Sequence, residues 1–236
     1  MHRGFEDELD KLRTRLVRMG SIVEEQVEFA FRALLEGNTE LAKIVKERDD
    51  KVDKLDIKID KQCQRIFALQ QPVASDLRLL LAAIKINNEL ERIGDMASNV
   101  AGPVLVVENI HELANELGIE RITQAAYRMV KASLDAFINN DPELAKHILP
   151  TDDTVDSLEK EIIAEVVLRM KADKSYIDAG VALIDVLRQI ERIADHATNI
   201  AENVIFLIEA RLVRHRQIDE DATIMDAETQ SDDSGL

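Results

Sequence analysis

The sequence predicts an all-α protein built from two tandem, pseudo-symmetric three-helix bundles. Three observations support this fold class: helix-breaking residues are sparse, apolar residues recur at helical spacing, and the second half of the chain repeats the first. Only eight Gly and four Pro occur among the 236 residues, so long helices can run between them. Apolar and polar residues do not alternate with the period of two that a β-strand would show, at least not over segments comparable to the helical ones.

The first predicted helix covers residues 5–35. Its apolar residues recur in steps of three and four, which places them on one face of an amphipathic helix. These residues are Leu9, Leu12, Leu16, Met19, Val23, Val27, Ala30 and Leu34. Such a face is stable when other helices cover it, so this pattern favours a bundle.

Two further helices are predicted before residue 110. The second carries Ile44, Val52, Leu55, Ile59, Ile66 and Leu69, and the third carries Leu77, Leu80, Ile84, Leu90, Ile93, Ala97 and Val100. Asn38 and Asp141 mark helix starts, because their side chains accept hydrogen bonds from the first amides of a helix. Pro142 follows Asp141 at the first helical position, where proline is favoured.

The chain is an internal duplication. With an offset of 103 residues, the segment 49–55 aligns with 152–158 and five of seven residues are identical. A three-residue deletion near Pro72 changes the offset to 100, and ERIGDMASNVA at 91–101 then aligns with ERIADHATNIA at 191–201. We therefore expect a first bundle over residues 1–110, a second over 111–215, and an acidic, disordered tail over 216–236.

The composition excludes several function classes. The formal charge is −16, and residues 215–236 contribute −6 of it through seven acids and one Arg, so the remaining chain carries −10. A nucleic-acid partner is not expected, because nucleic-acid binding requires a basic surface. No apolar run is long enough for direct membrane insertion, and the acidic start does not resemble a signal peptide, so we expect a cytoplasmic protein. The single cysteine, Cys63, is expected to be buried.

Four pairs of acidic residues occupy equivalent positions in the two repeats. Acids four apart are common in a chain with 46 of them, so the repetition is the informative feature. Residues i and i+4 lie above one another on a helix face, and each pair therefore presents two carboxylates to one region of space. The candidate metal ligands are Asp49, Asp53, Glu91, Asp95, Asp152, Asp156, Glu191 and Asp195.

Adjacent antiparallel helices would bring two pairs together as a four-carboxylate patch on each bundle. Such carboxylates raise one another's pKa unless a cation neutralises them, and oxygen donors favour hard or borderline ions such as Mg, Mn, Ca or Fe. Three alternatives remain open from the residues. The first is that the acids bind no metal and form a solvated face of the bundle. The second is whether His196 is a further metal ligand or a packed side chain. The third is whether Asn99 and Asn199 orient a metal or bond a neighbouring helix. Arg92 and Arg192 favour ion pairs over phosphate binding.

These residues resemble the PhoU family, the regulators of bacterial phosphate-specific transport. The resemblance rests on the duplicated E(D)xxxD pattern, the two ERI(G/A)DxA(S/T)N(I/V)A segments, the ERDDKVDKLD stretch and PVASDLR at 72–78. It covers roughly residues 5–215 and implies six long helices, a cytoplasmic location and a homodimer. Pro150 has no counterpart in the first half and is expected to break the fifth helix.

The resemblance also implies a function. A PhoU-like protein represses the phosphate-starvation response by linking the ATPase subunit of the Pst transporter to a PhoR-type sensor histidine kinase. The resemblance further implies iron, zinc or other divalent metal clusters at the E(D)xxxD pairs. It implies no catalytic residues and no catalytic cofactor.

An enzyme is the alternative function. A carboxylate-bridged oxidase of the ferritin-like type needs Glu-x-x-His on two core helices, and this chain offers only Glu108 and His111 beside a predicted helix end. The sequence contains no Gly-rich phosphate loop, which argues against an NTPase. Pro72, Pro103 and Pro142 interrupt the continuous heptad repeat that a structural coiled coil requires.

Overall fold

The computed structural model describes residues 2–70, 72–211 and 213. These residues form α-helices joined by turns and short 3-10 segments, with no β-strand among them, which confirms the predicted fold class. The predicted tail at 216–236 lies outside the described residues. The helices are α1 (His2–Glu36), α2 (Thr39–Gln70), α3 (Ala74–Ala101), α4 (Ile110–Glu116), α5 (Glu120–Asn139), α6 (Pro142–Ile148), α7 (Asp152–Ala172) and α8 (Ile177–Glu209).

The two repeats have equivalent helices. The first bundle contains α1, α2 and α3, and the second contains α5, the α6–α7 pair and α8. A 3-10 turn over Leu149–Thr151 separates α6 from α7, and it contains Pro150. Pro150 therefore interrupts the helix equivalent to α2, as predicted, because proline lacks the amide hydrogen that a helix interior needs.

The turns before α2 and α6 also match. Asn38 Oδ1 accepts hydrogen bonds from the backbone amides of Glu40 and Leu41, both at 3.1 Å. Asp141 Oδ1 accepts one from the Leu144 amide at 3.0 Å. These contacts confirm both predicted N-caps.

The two halves share one continuous hydrophobic core. The most extensive contact between any two described helices is that of α3 with α8, and α1 also packs against α5. Helices α3 and α8 run antiparallel, since Lys85 lies over the Phe206 ring while Asn99 contacts Gln189. The short helix α4 begins at the predicted boundary and contacts both α1 and α8, and the division into two domains stays a prediction.

Three of the apolar residues predicted to line the buried stripes are exposed instead. Ile44, Leu69 and Leu77 are 38%, 66% and 38% exposed. The core side of α2 passes through Ala42 and Val45, both fully buried, so Ile44 points away from it. Residues one apart on a helix differ by about 100° in direction, so apolar character alone does not decide which neighbour is buried.

None of the described helices combines the length and apolar character that crossing a bilayer requires.

Candidate functional site

Three of the predicted acidic residues converge between α2 and α3. Asp53 extends from α2, while Glu91 and Asp95 lie one turn apart on α3. One carboxylate oxygen from each lies within 4.8 Å of the other two. Glu91 is partly buried, and Asp53 and Asp95 are exposed, so the group faces solvent at the edge of the helix seam. We call this group the first-half acidic cluster.

The cluster concentrates negative charge in a partly desolvated place. Burial raises the pKa of Glu91 above its ordinary value, and the neighbouring Asp95 carboxylate raises it further. Burial likewise raises the pKa of Asp95, with Asp49 and Asp53 adding to the shift. Arg92 acts in the opposite direction on both groups, but its effect is the weaker one. A cation bound by the three carboxylates would relieve this repulsion.

Asp49 lies beside the cluster and is held by a buried amide. Gln26 of α1 is fully buried, and its Nε2 lies 3.2 Å from Asp49 Oδ1, 3.2 Å from the Gly94 carbonyl oxygen and 3.3 Å from that of Val45. A Cβ at position 94 would lie 3.4 Å from Gln26 Oε1 and 3.6 Å from Asp49 Oδ1. These are ordinary van der Waals distances, so position 94 would also accept alanine, the residue at the equivalent position 194.

Asp56 belongs to the same region, although the sequence interpretation did not single it out. It raises the pKa of Glu91 through its charge, and its own pKa is raised by burial and by Asp60. The buried amide of Asn87 donates to Asp56 Oδ1 at 2.6 Å. The signal was present in the repeat, because Asp56 aligns with Glu159 at the same offset of 103.

The second half brings its acids around Glu191. Burial raises the pKa of Glu191 to about 7, and the neighbouring carboxylates add to the shift in the order Glu159, Asp156, Asp195 and Asp152. Lys160 Nζ lies 3.8 Å from Asp156 Oδ2 across one turn of α7. Among the described residues, no second-half trio of acids meets the 4.8 Å spacing seen in the first half. The four predicted residues are neighbours here, but they are not gathered as tightly.

A difference in buried polar residues accompanies this asymmetry. Gln26 aligns with Met129 and Asn87 aligns with Leu187, at offsets of 103 and 100. Both second-half residues are buried and apolar. The first-half carboxylates therefore receive hydrogen bonds from two buried amides, whereas the equivalent positions of the second half supply no such donors. In the first half these donors reach Asp49 and Asp56, and the second-half residues equivalent to those two acids are Asp152 and Glu159.

The other polar candidates join the two halves. His196 Nδ1 lies 2.5 Å from Glu89 Oε2, and Asn199 Nδ2 donates to the same oxygen at 3.3 Å. Asn99 Nδ2 donates to Gln189 Oε1 at 3.5 Å. Each Asn thus bonds the opposite helix of the α3–α8 pair. The Nδ1 atom of His196 is hydrogen-bonded to Glu89. Arg92 and Arg192 are exposed.

The residues of the ferritin-like alternative do not share a helix. Glu108 is exposed in the turn before α4, and His111 lies within α4. A metal site of that type needs the two residues one above the other on the same helix face, so the geometry gives this alternative no support.

Comparison with known proteins agrees with the duplicated architecture. The model of the PhoU domain family matches residues 16–104 and again residues 119–204. The chain is 40% identical over 212 residues to a phosphate-specific transport system accessory protein PhoU homolog of Pseudomonas aeruginosa, covering 89% of this chain and 88% of that protein. A protein of the same description from Aquifex aeolicus is 37% identical over 213 residues, covering 90% and 96%.

Solved structures show the same fold. The crystal structure of PhoU from Pseudomonas aeruginosa superposes with a TM-score of 0.81 at 39% identity, covering 88% of this chain and all of that one. The phosphate transport system regulatory protein PhoU from Streptococcus pneumoniae also gives 0.81, at 28% identity with 89% and 99% covered. With both repeats matched and these relatives aligned over most of their length, the chain belongs to the PhoU family.

Proposed function

We propose that this protein is a cytoplasmic, non-enzymatic regulator of phosphate uptake and of the phosphate-starvation response. In this proposal it is an adaptor that connects the ATPase subunit of a Pst phosphate transporter to a PhoR-type sensor histidine kinase and keeps the starvation response repressed. Its relatives are described as accessory and regulatory proteins of phosphate transport, which supports the regulatory part. The adaptor part needs surfaces for two partners.

A repeated pair of exposed apolar residues carries the adaptor proposal. Leu77 and Leu81 on α3 are 38% and 40% exposed, and the equivalent Ile177 and Val181 on α8 are 41% and 50% exposed. Because α3 and α8 are antiparallel, the two pairs lie toward opposite ends of the molecule. Residues four apart on a helix are neighbours, so each pair forms one exposed apolar patch, and such patches occur at protein contact sites. Two such sites, one at each end, suit a protein that bridges two partners.

Binding measurements with purified partners test this proposal. We expect the ATPase subunit and the cytoplasmic part of the kinase each to bind this chain in isothermal titration calorimetry. Replacing Leu77 and Leu81 by Asp should weaken binding of one partner by at least about tenfold, because each buried apolar side chain contributes about 1.5–3 kcal/mol. Ile57→Asp is the matched control, since Ile57 is 50% exposed and lies in the middle of α2, away from both pairs. Absence of binding to both proteins would overturn the adaptor role.

The proposal includes a homodimer and metal binding at the acidic residues. Asp53, Glu91 and Asp95 would hold one cation in the first half, with Asp49 beside them. Asp152, Asp156, Glu191 and Asp195 would serve in the second half. An all-oxygen donor set favours hard or borderline ions such as iron, manganese or magnesium, although zinc also accepts carboxylates. The cation would neutralise the acidic patch and stabilise the α2–α3 seam.

Elemental analysis tests the metal site independently of the adaptor role. After incubation with Fe(II), Mn(II) or Zn(II) and gel filtration, the Glu91→Gln/Asp95→Asn variant should retain less metal than the unchanged protein. The control is Glu6→Gln/Asp10→Asn, which removes two exposed acids at the same spacing on α1. Equal metal content in the two variants would remove the first-half ligand assignment. Light scattering of the same samples measures the mass and tests the dimer.

A further inference from the structure

A cationic groove lies between α1 and α2, away from the acidic residues of the proposed metal sites. Its volume is about 470 Å³. The residues that line it are Glu8, Lys11, Arg15, Lys58, Lys61, Gln62 and Arg65. Five cations thus face one acid, in a chain whose formal charge is −16. We call this surface the α1–α2 groove.

Helical spacing and a buried amide build the groove. Lys11 and Arg15 are four apart on α1, so they share a face, and the three cations of α2 follow the same rule. Gln62 is only 6% exposed, and its Oε1 accepts a hydrogen bond from Arg15 Nη1 at 2.6 Å. Its Nε2 donates to the Glu8 carbonyl oxygen at 2.9 Å. Gln62 therefore ties α1 to α2 at the floor of the groove.

The single acid of the groove, Glu8, feels the charges of Lys11, Arg65 and Arg15, which lower its pKa, but most of the groove's cations form no direct ion pair among the described residues. Lys11 Nζ pairs with Glu8 at 3.1 Å. No ion pair to any described residue is formed by Arg15 or by the α2 cations Lys58, Lys61 and Arg65. The groove is therefore suited to a negatively charged ligand that extends along two helices, such as an acidic polypeptide segment.

Helix α8 ends at the same end of the molecule as the groove. Asn87 of α3 contacts Asp56 in the C-terminal half of α2, which sets the level of α3 against α2. Lys85 lies about half a turn from Asn87 on α3, and its Nζ is 5.6 Å from the centre of the Phe206 ring of α8. The last turn of α8, up to Glu209, is thus level with the N-terminal part of α3 and with the C-terminal part of α2, where the groove opens. The chain beyond α8 starts from this end.

The segment that follows α8 has the complementary charge. Residues 215–236 contain seven acids and one Arg, a net charge of −6, while the groove offers five cations. Helix α8 packs on α3, and α3 packs on α1 and α2, so the groove lies about two helix spacings of about 8–10 Å each from α8. A chain of 22 residues spans up to roughly 70 Å when fully extended, which is enough to cover this distance. We infer that the acidic segment 215–236 binds in the α1–α2 groove of its own chain. An acidic partner would have to displace it to reach the groove.

Zero-length cross-linking of the full chain tests this contact. A carbodiimide joins lysines to carboxylates that touch them, and mass spectrometry then maps the pairs. We expect Lys58 and Lys61 to couple to acids of residues 219–233, with little coupling at the exposed lysines Lys171 and Lys174. Raising the salt from about 0.1 M to about 1 M shortens the Debye length from about 10 Å to about 3 Å and should reduce the yield at least about fivefold.

Charge reversal provides the second measurement. A dye on a Ser231→Cys variant reports the mobility of the segment by fluorescence anisotropy, and the native fold keeps Cys63 buried and unlabelled. Lys58→Glu/Lys61→Glu should lower the anisotropy to its high-salt value, whereas Lys171→Glu/Lys174→Glu should leave it unchanged. Circular dichroism verifies that both variants are folded.

Three results would overturn the inference. The first is coupling that is no greater at Lys58 and Lys61 than at Lys171 and Lys174. The second is an anisotropy that the groove variant leaves unchanged. The third is coupling mainly between chains in a mixture of isotopically heavy and light protein, which would assign the groove to the segment of a second copy.

Discussion

Glu89 and His196 join the two repeats across the α3–α8 contact, with Glu89 Oε2 only 2.5 Å from His196 Nδ1. Both side chains are largely buried, at 16% and 13% exposed. The position equivalent to His196 in the first repeat is Met96, and the position equivalent to Glu89 in the second is Gln189. The duplicated halves are therefore joined by a contact that is not itself duplicated.

The first prediction concerns this contact. His196→Met inserts the residue of the other repeat, and it replaces the imidazole, a hydrogen-bond partner of the Glu89 carboxylate, by an apolar side chain. We expect a loss of about 1–3 kcal/mol in the free energy of unfolding, measured by urea denaturation. Asn99→Ala is the control, since Asn99 is exposed and its bond to Gln189 is 3.5 Å long, and it should cost less than about 0.5 kcal/mol. Equal costs would contradict the assigned importance of the Glu89 contact.

The second prediction concerns pH. Burial raises the pKa of Glu191 from 4.5 to about 7, so between these values the folded protein binds more protons than the unfolded chain. The contribution of Glu191 to the free energy of unfolding is therefore fully present below pH 4.5 and is lost as the pH rises toward 7. In metal-free protein, Glu191→Gln should raise the free energy of unfolding at pH 8 by about 1–2 kcal/mol, after allowance for partial exposure.

The gain should disappear below about pH 4.5, because Glu191 is then neutral in both the folded and the unfolded protein. Thermal unfolding in the presence of a chelator, followed across the pH range, measures this profile. Glu165→Gln, at an exposed position of α7, provides the control and should show no such pH-dependent gain. A constant difference at all pH values would show that the charge of Glu191 is not the cause.

The third prediction concerns the single cysteine. Cys63 is fully buried, and burial raises the pKa of its thiol to about 12. Because the thiolate is the reactive form, a thiol reagent at pH 8 should label the native protein at least about a hundredfold more slowly than the urea-unfolded protein. Ser157→Cys places a second thiol on the exposed face of α7 and should react rapidly in the native state. Rapid labelling of Cys63 itself would contradict its burial.

The fourth prediction compares two glycines in left-handed turns. Gly37 has φ = 64° and Gly118 has φ = 65°, so alanine is strained at both positions. A Cβ at Gly37 would also lie 2.9 Å from the His111 ring, whereas at Gly118 the nearest atom is Arg121 Nε at 3.8 Å. Gly118→Ala should cost about 1 kcal/mol of stability and Gly37→Ala clearly more, by urea denaturation. Adding His111→Ala should recover part of the Gly37→Ala loss; no recovery would contradict the steric explanation.

Local patterns explain why much of the fold could be predicted. Helix starts at Asn38 and Asp141 depend on bonds within four residues, and these bonds are present. The break at Pro150 follows from the chemistry of one residue. The burial of Ile44 and Leu69 was predicted wrongly, because a helix face is defined by the neighbours it meets and both residues turn away from the core.

The candidate site divides in the same way. The sequence by itself determined the eight paired acids and their duplication, because spacing along a helix is a local property. Only the tertiary structure decided that three of them approach within 4.8 Å in the first half and that Asp56 and Glu159 join their neighbourhoods. The physical reason is that the distance between carboxylates across a helix seam depends on how three helices pack. The hydrogen bonds from the buried amides of Gln26 and Asn87 to the neighbouring acids Asp49 and Asp56 depend on the same packing.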